Sequence, residues 1–274
     1  MSTPTTTVWQ SSTAAASDDD VPLLYRAEGL FAVHKPLNWT SSNVVSYIRG
    51  ILERDARTRG AKLPRRRPRI KIGHGGTLDP LATGVLVLGV GKGTKQLESY
   101  LSGSKAYRAG AALGFETNTL DMEGNITRRA TFDHIQPIDL ERVRPHFVGT
   151  IEQIPPLFSA IKQNGQRLYQ KARKGQTDDD VVIASRLVTI HELQFGNVDL
   201  PQFDIQVECG GGTYIRSLIR DIAYQLDTVA TTTYLQRTKQ GPFTLEDCLE
   251  KEDWNADNIY AAIERHQTLQ EKTI

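Results

Sequence analysis

The chain has 274 residues, of which 39% are hydrophobic and 24% are charged, and its formal net charge is only +1. These values are ordinary for a globular protein with a substantial buried core. The sequence contains no run of about 18 apolar residues, the length needed to cross a membrane. Two cysteines and six histidines show neither a disulfide framework nor a pattern of metal ligands. We therefore expect a reducing compartment and a chemistry that needs no metal and no cofactor.

The first 20 residues are rich in serine, threonine and alanine and end in three aspartates. They show no apolar periodicity, which predicts a disordered segment over residues 1–20. They contain neither the apolar core of a signal peptide nor the arginines of a mitochondrial transit peptide. We expect a protein of the nucleus, the cytoplasm or both.

The first regular elements are a strand over residues 29–34 and the helix that follows it. The strand ends at Lys35-Pro36, and Ser41 or Ser42 is placed to cap the helix. Four apolar residues recur on one face of this helix: Val44, Val45, Ile48 and Leu52.

A basic stretch, residues 57–71, follows the helix and contains no acidic residue. Pro64 and Pro68 argue against a helix, so we predict an extended loop. Five of its cations are candidates for contact with RNA phosphates: Arg65, Arg66, Arg67, Arg69 and Lys71. A solvated linker or a nuclear localisation signal would have the same composition.

Residues 73–84 are rich in glycine, which predicts a loop, and Asp79 is the only carboxylate in it. An apolar run follows, so Asp79 is expected to be partly buried, and a buried carboxylate is costly unless it is paired. The glycines would let a substrate approach the backbone closely. The alternative is a turn residue that precedes a proline. These residues alone leave both interpretations open.

The rest of the chain is predicted to contain more strands than helices. Residues 84–90 read as a buried strand, and Thr94 could cap a short helix after it. Further strands are predicted over residues 107–113, 147–154, 157–163, 181–195, 203–208 and 234–243. Strands and helices do not alternate strictly, which favours an α+β fold built on a mixed or antiparallel sheet. Residues 251–274 are expected to form a polar helical tail.

A helix with a clear apolar stripe begins at Ile215. Arg216 lies about a quarter-turn from the centre of this stripe, so its side chain could sit at the edge of the core. A guanidinium there could pair with Asp79 and offset the cost of burying that carboxylate. The alternative is a surface arginine that only covers apolar area.

The sequence from Lys71 to Leu86, KIGHGGTLDPLATGVL, resembles the signature loop of TruB-type pseudouridine synthases. Other segments match the family in the same order, including Ser104–Tyr107, Gly212–Arg216 and Tyr234–Thr238. The resemblance extends over about residues 29–243. It implies the pseudouridine synthase fold, a central mixed and mainly antiparallel sheet flanked by helices, in a catalytic domain over about residues 21–250.

The resemblance also implies roles for individual residues. Asp79 would be the catalytic aspartate, and Arg216 would orient it. Tyr107 would stack on the target base and take part in proton transfer at C5. His74 would help to evict the base from its stack. The uracil pocket would be lined by Tyr214 and Leu235.

The activity implied is the isomerisation of the T-loop uridine at position 55 of tRNA, which is flipped out of its stack for the reaction. The product has the same atoms as the substrate, so no cofactor is expected. Covalent attack by the aspartate and proton abstraction from the sugar both remain open. An RNA-binding or tRNA-folding module whose main work needs no catalysis is the alternative from another class.

The resemblance is closer to eukaryotic members than to bacterial ones, which usually continue into an RNA-binding PUA module. About thirty polar residues follow Phe243, too few for such a module, so we expect the catalytic domain to hold the T-arm. Other RNAs with a T-arm-like hairpin are further candidate substrates. We expect no membrane, no obligatory protein partner and no guide RNA, and a mitochondrial pool is consistent with the resemblance.

Overall fold

The computed structural model describes residues 28–61, 70–177 and 180–271. Residues 1–20, predicted to be disordered, lie outside these ranges, as do Arg65, Arg66, Arg67 and Arg69 of the basic stretch. The helices are α1 (Ser41–Thr58), α2 (Leu97–Ser102), α3 (Pro137–Val143), α4 (Leu168–Ala172), α5 (Ile215–Gln225) and α6 (Ala256–Glu271). None of the helices in these ranges is both long and apolar enough to cross a membrane.

Fourteen strands are formed within the described ranges. They are β1 (Gly29–Lys35), β2 (Ile72–His74), β3 (Ala82–Val90), β4 (Lys105–Leu113), β5 (Phe115–Thr117), β6 (Ile126–Arg129), β7 (Gly149–Gln153), β8 (Lys162–Gln163), β9 (Gln166–Arg167), β10 (Arg186–Asp199), β11 (Gln202–Cys209), β12 (Ala230–Gln240), β13 (Phe243–Thr244) and β14 (Cys248–Leu249).

One large sheet organises the molecule, in the order β14-β1-β3-β12-β4-β11-β10-β7, with β2 paired to β3 and β13 to β12. Only the pairs β1–β14 and β3–β12 are parallel, and the other ladders of this sheet are antiparallel. The predicted mixed, mainly antiparallel sheet is therefore confirmed. β5 pairs with β6, and β8 pairs with β9, as separate hairpins.

The strands β1 and β3 are covered on both faces, which explains why they read as continuous apolar runs. Phe31 and Leu86 belong to the main core, which also contains the apolar faces of α1, α5 and α6. Leu30 and Val87 face the other way, into a smaller cluster with Tyr100. The site-bearing loop between β2 and β3 is thus attached to the most deeply buried part of the sheet.

Several predicted boundaries were wrong, two of them because a side chain has another partner. The cap of α1 is Thr40, whose side chain accepts a hydrogen bond from the Asn43 amide, while Ser41 contacts Leu78. Thr94 lies inside a 3₁₀ helix and donates to the Gly91 carbonyl, so it caps no helix start. The strand predicted from residue 181 begins at Arg186.

Two glycine-rich or apolar segments also differ from their predictions. The start of the predicted loop, Gly73 and His74, belongs to strand β2, because the backbone of Ile72–His74 pairs with Val90 to Leu88 of β3. Residues 157–161 form no strand, although residues 162–163 do. Leu157 packs instead into a small cluster with Leu168, Ala172 and Val181.

Candidate active site

The loop that carries Asp79 is fixed on both sides of the carboxylate. Before it, the Ser41 hydroxyl binds both main-chain groups of Leu78, accepting from the amide at 2.9 Å and donating to the carbonyl at 3.2 Å. After it, the Pro80 carbonyl accepts from the Asn38 amide at 2.9 Å and from Lys35 Nζ at 3.3 Å. These contacts join the loop to the start of α1 and to the end of β1, so little reorganisation of the loop is needed for Asp79 to act.

The start of the same loop is held from β12. Arg237 donates to the Val85 carbonyl at 2.7 Å and to the Gly76 carbonyl at 3.2 Å. Gln240 donates to the Gly75 carbonyl at 2.6 Å. Both side chains are fully buried, and their hydrogen bonds satisfy carbonyls that the glycine-rich backbone would otherwise leave without partners.

The glycines of this loop serve packing rather than substrate access at two positions. A Cβ on Gly84 would lie 2.2 Å from the Arg237 carbonyl oxygen, and one on Gly75 would lie 2.7 Å from the Tyr100 Cβ. Gly84 also has a φ of +96°, which side chains rarely tolerate. For these two residues the expectation that glycine admits the substrate was wrong, because chain segments of the protein itself occupy the space.

Asp79 and Arg216 form an ion pair, with 2.8 Å between Asp79 Oδ2 and Arg216 Nη2. The arginine side chain is 3% exposed and the aspartate side chain 31%, so Asp79 keeps an open side. Arg216 also donates to the carbonyls of Thr119 and Phe158. The guanidinium is therefore fixed by its neighbours, and it in turn fixes one oxygen of Asp79.

A second carboxylate, Asp121, lies on the other side of Arg216, with Oδ2 3.5 Å from Nη1. Asp121 is buried, and its Oδ1 accepts from the Thr119 hydroxyl and from the Glu123 amide. Sequence reasoning missed this residue because it lies in a polar segment where an aspartate looks like an ordinary turn residue. No local signal distinguishes it.

A cavity of about 320 Å³ opens beside the ion pair. Asp79, Tyr107, Tyr214, Arg216 and Leu235 all line it, together with Lys105, Ser159 and Arg237. This volume is at the lower end of the range for small-molecule sites, which suits a single nucleoside. The structure thus brings together five of the six residues predicted for the catalytic and uracil-binding roles.

Tyr107 and Leu235 come from neighbouring strands in the centre of the sheet. Tyr107 on β4 is opposite Arg237 on β12, and Leu235 is opposite Ala109. Burial raises the pKa of Tyr107, and the nearby Arg237 opposes this rise. The phenol is therefore neutral at physiological pH and can stack against a planar base.

Tyr214 is the residue before α5 and is held by its backbone. Gln153 accepts from the Tyr214 amide at 2.8 Å and donates to its carbonyl at 3.1 Å. Burial raises the pKa of the Tyr214 phenol, while the Arg186 guanidinium, 5.8 Å from the ring centre, lowers it. Gln153 is buried and was not predicted; a glutamine on a strand has no local feature that reveals such a contact.

His74 lies outside the lining of the cavity, at the end of β2. It is partly buried, and its Nδ1 has no hydrogen-bond partner among the described residues. Burial lowers its pKa, with Arg237 and Arg167 acting in the same direction. The imidazole is therefore neutral at pH 7 and stands two residues before Gly76, which does line the cavity.

Of the predicted RNA-backbone candidates, only Lys71 lies in the described ranges. It is exposed, and its carbonyl accepts from the Gly91 amide at 2.8 Å. Arg49 of α1 donates to the carbonyls of Ile70 and Ile72 on either side of it, both at 3.4 Å. The last residues of the basic stretch are thus attached to α1. The prediction of a loop from residue 57 was wrong for Arg57 and Thr58, which form the last turn of this helix.

The arrangement presents one carboxylate, oriented by a guanidinium, to a cavity that has an aromatic wall and an aliphatic wall. A carboxylate placed in this way can attack an electrophilic carbon or remove a proton. The described residues contain no group of three or more side chains that could hold a metal ion.

Comparisons with known proteins agree with this arrangement. Residues 64–215 match the model of the TruB family pseudouridylate synthase, N-terminal domain. Pseudouridylate synthase TRUB1 of Homo sapiens is 42% identical over 248 residues, which are 90% of this chain and 70% of the relative. tRNA pseudouridine synthase B of Phocaeicola vulgatus is 43% identical over 220 residues, 80% of this chain and 88% of the relative.

Solved structures show the same fold. A chain of a Cbf5–Nop10–Gar1 complex superposes with a TM-score of 0.61 at 26% identity, covering 91% of this chain and 62% of that chain. A chain of an archaeal box H/ACA sRNP Nop10–Cbf5 complex gives 0.58 at 24% identity, covering 92% and 65%. This protein therefore spans less than two thirds of the length of these solved chains.

The fold and the cavity define a pseudouridine synthase, which is an isomerase. Within that class, the matched model and the relatives show that the chain belongs to the TruB family.

Proposed function

We propose that this protein isomerises the T-loop uridine at position 55 of tRNA to pseudouridine. One observation carries the proposal: Asp79 is paired with Arg216 at the edge of a cavity whose volume suits one nucleoside and whose walls include Tyr107 and Leu235. The relative from Phocaeicola vulgatus bears the name tRNA pseudouridine synthase B, which supports tRNA as the substrate.

The reaction rearranges a single nucleoside. The bond between N1 of uracil and C1′ of the ribose breaks, and the electron pair of that bond leaves with the base. The base turns within the cavity, and a new bond joins C5 to C1′. The proton on C5 is then removed and N1 takes a proton, so that no atom is gained or lost.

In this proposal Asp79 acts on the sugar, and Arg216 holds the carboxylate in place. Tyr107 stacks on the flipped base and lies near C5 when that atom faces C1′, so its hydroxyl takes part in the final proton transfer. Tyr214 and Leu235 keep the base in the cavity after the glycosidic bond breaks. His74 assists eviction of the base from its stack, which costs a few kcal/mol.

In this proposal the RNA backbone is held by cations of the basic stretch. Lys71 and the four arginines of the basic stretch, Arg65, Arg66, Arg67 and Arg69, are candidates for phosphate contact. The substrate RNA is the T-arm of tRNA, and other RNAs with a similar hairpin are further candidates. We further propose that the protein acts without a guide RNA and forms a single catalytic domain over residues 21–250. We propose that it acts in the nucleus and the cytoplasm, with a mitochondrial pool.

The experiment measures release of tritium from tRNA transcripts labelled at C5 of uridine, without added nucleotide or metal. We expect release from the T-loop uridine with the wild type and none with Asp79→Asn, which keeps the size of the side chain and removes its charge. Asp133→Asn, at an exposed aspartate, is the control and should match the wild type. Absence of release from several tRNAs that the wild-type protein binds would refute the proposal.

A binding function without catalysis is the second candidate, supported by the basic stretch. Asp79→Asn separates the two functions, because RNA affinity should be kept when turnover is lost. Cells that lack the protein should not be rescued by this variant if catalysis is the function. Equal rescue by the variant and the wild type would make binding the main role.

A further inference from the structure

Two cations lie inside the cavity beyond the ion pair of Asp79 and Arg216. Lys105 is 6% exposed and Arg237 is 1% exposed, and both line the cavity. Lys105 is on β4, two residues before Tyr107, and Arg237 is directly opposite Tyr107 on β12. The two cations are thus at the same end of the sheet, next to the aromatic wall.

Neither cation has a carboxylate partner within the part of the chain that the structure describes. Lys105 Nζ donates only to the carbonyls of Leu101 and Gly103, at 2.8 and 2.6 Å. Arg237 donates to the carbonyls of Val85 and Gly76 and also hydrogen-bonds to the Tyr107 hydroxyl, which is neutral. A lysine has three donor hydrogens and an arginine five, so both cations keep donors that these contacts do not use.

Burying two cations without carboxylate partners in the lining of one cavity is unfavourable for the fold. Burial, together with the positive charge of Arg237, lowers the pKa of Lys105 to about 8. Buried charges are normally paired with opposite charges. The missing negative charge is therefore expected from a molecule that enters the cavity.

The reaction supplies a negative charge at this place. When the bond between N1 and C1′ breaks, the electron pair goes to N1, and the charge spreads over N1 and the carbonyl oxygens of uracil. This holds whether Asp79 attacks C1′ or removes a proton from the sugar. A phosphate would also be anionic, but Lys105 and Arg237 are 6% and 1% exposed and lie beside the base-stacking wall, where we expect the reacting base rather than the RNA backbone.

We propose that Lys105 and Arg237 stabilise the uracil anion that is released when the glycosidic bond breaks, and so act as catalytic residues in addition to Asp79. This inference rests on the proposed function. Fixed cations in a cavity shielded from water stabilise a developing charge far more than the same charges do in water. Arg237 also holds the loop of Asp79, so Lys105 is the cleaner of the two to test.

The test compares two leaving groups. Fluorine at C5 withdraws electrons, so 5-fluorouracil leaves as a more stable anion than uracil and needs less help from the protein. A tRNA carrying either uridine or 5-fluorouridine at position 55 is mixed with excess enzyme, and disappearance of the target nucleoside is followed in nuclease digests. Lys105→Met is expected to slow uridine about 100-fold, the lower end of the effect of removing one charge-stabilising donor, and 5-fluorouridine less than tenfold.

Three controls make the result interpretable. Lys105→Arg keeps the charge and should recover most of the rate. Lys92→Met removes an exposed lysine that pairs with Glu28 and should behave as the wild type. The melting temperature and the affinity for RNA of Lys105→Met should be close to those of the wild type, which shows that the fold is intact.

Each outcome supports or overturns the inference. A loss that is equal for the two nucleosides would mean that Lys105 only supports the end of α2, and the inference would be wrong. It would be equally wrong if Lys105→Met reacted with uridine at the wild-type rate. A wild-type protein that converts neither nucleoside would instead contradict the proposed function.

Discussion

Arg216 is the side chain through which the candidate site is assembled. It contacts Asp79 and Asp121 as well as the carbonyls of Thr119 and Phe158, so three separate parts of the chain meet at the guanidinium. The pairing with Asp79 could be predicted, because a lone carboxylate before a buried strand needs a partner and Arg216 lies beside an apolar stripe. Asp121 could not, since its burial depends on tertiary contacts alone.

The first prediction concerns Asp121. Asp121→Asn keeps an oxygen for the Thr119 hydroxyl and the Glu123 amide but removes the charge next to Arg216. We expect turnover to fall by about 10- to 100-fold, because the guanidinium is less firmly placed against Asp79 and misplacement of a catalytic group is costly. RNA affinity should change little. The measurement is the single-turnover rate of pseudouridine formation.

Glu123→Gln is the matched control for Asp121→Asn. It removes an exposed carboxylate from the same turn without an ion pair to Arg216, and its rate should stay within about twofold of the wild type, as for most surface substitutions. If Asp121→Asn reacts as fast as the control, the second carboxylate has no part in positioning Arg216.

At the scale of elements, hydrophobic patterning identified most strands of the sheet but none of their partners. The run that became β3 was recognisable because both of its faces are buried. Its parallel pairing with β12 was not, because the two strands are about 150 residues apart in the sequence and local pattern carries no register. Gly84 shows the consequence, since only the pairing explains why this position excludes a side chain.

The second prediction tests that close approach. Gly84→Ala should destabilise the protein by more than about 3 kcal/mol, because a strained φ adds about 1–2 kcal/mol and the new Cβ meets the Arg237 backbone. Gly60→Ala is the control: its φ is +89°, but nothing lies within 4 Å of an added Cβ. It should cost only the strain. Urea unfolding gives both values.

The comparison between the two glycines separates dihedral strain from steric exclusion. Failure of Gly84→Ala to fold, with Gly60→Ala folded, agrees with the prediction. Two variants whose free energies of unfolding lie within about 1 kcal/mol of each other would show that β3 and β12 can separate enough to admit a methyl group.

For the whole molecule, the order of the sheet explains how residues far apart in sequence form one cavity. β12 lies between β3 and β4, so the loop before β3, the aromatic residue on β4 and the side chains of β12 are adjacent. The loop before α5 completes the cavity. Sequence alone indicated the α+β class and the family resemblance indicated the sheet, but the order of strands follows from packing that no single segment encodes.

The last prediction concerns how the whole molecule holds RNA. The basic stretch joins α1 to β2, and Arg49 of α1 donates to the carbonyls of Ile70 and Ile72. β2 ends at His74, two residues before Gly76 of the cavity lining. Replacing Arg65, Arg66 and Arg67 by alanine should weaken tRNA binding and make it less dependent on salt. Each phosphate contact contributes about 0.7–0.9 to the slope of log K against log salt concentration, so loss of three contacts should reduce the slope by about two to three.

Replacement of the same three residues by lysine is the control, because it keeps the charge and should keep most of the slope. Titrations from low to moderate salt measure this directly, and an alanine variant with the slope of the wild type would show that these arginines do not neutralise phosphates in the complex.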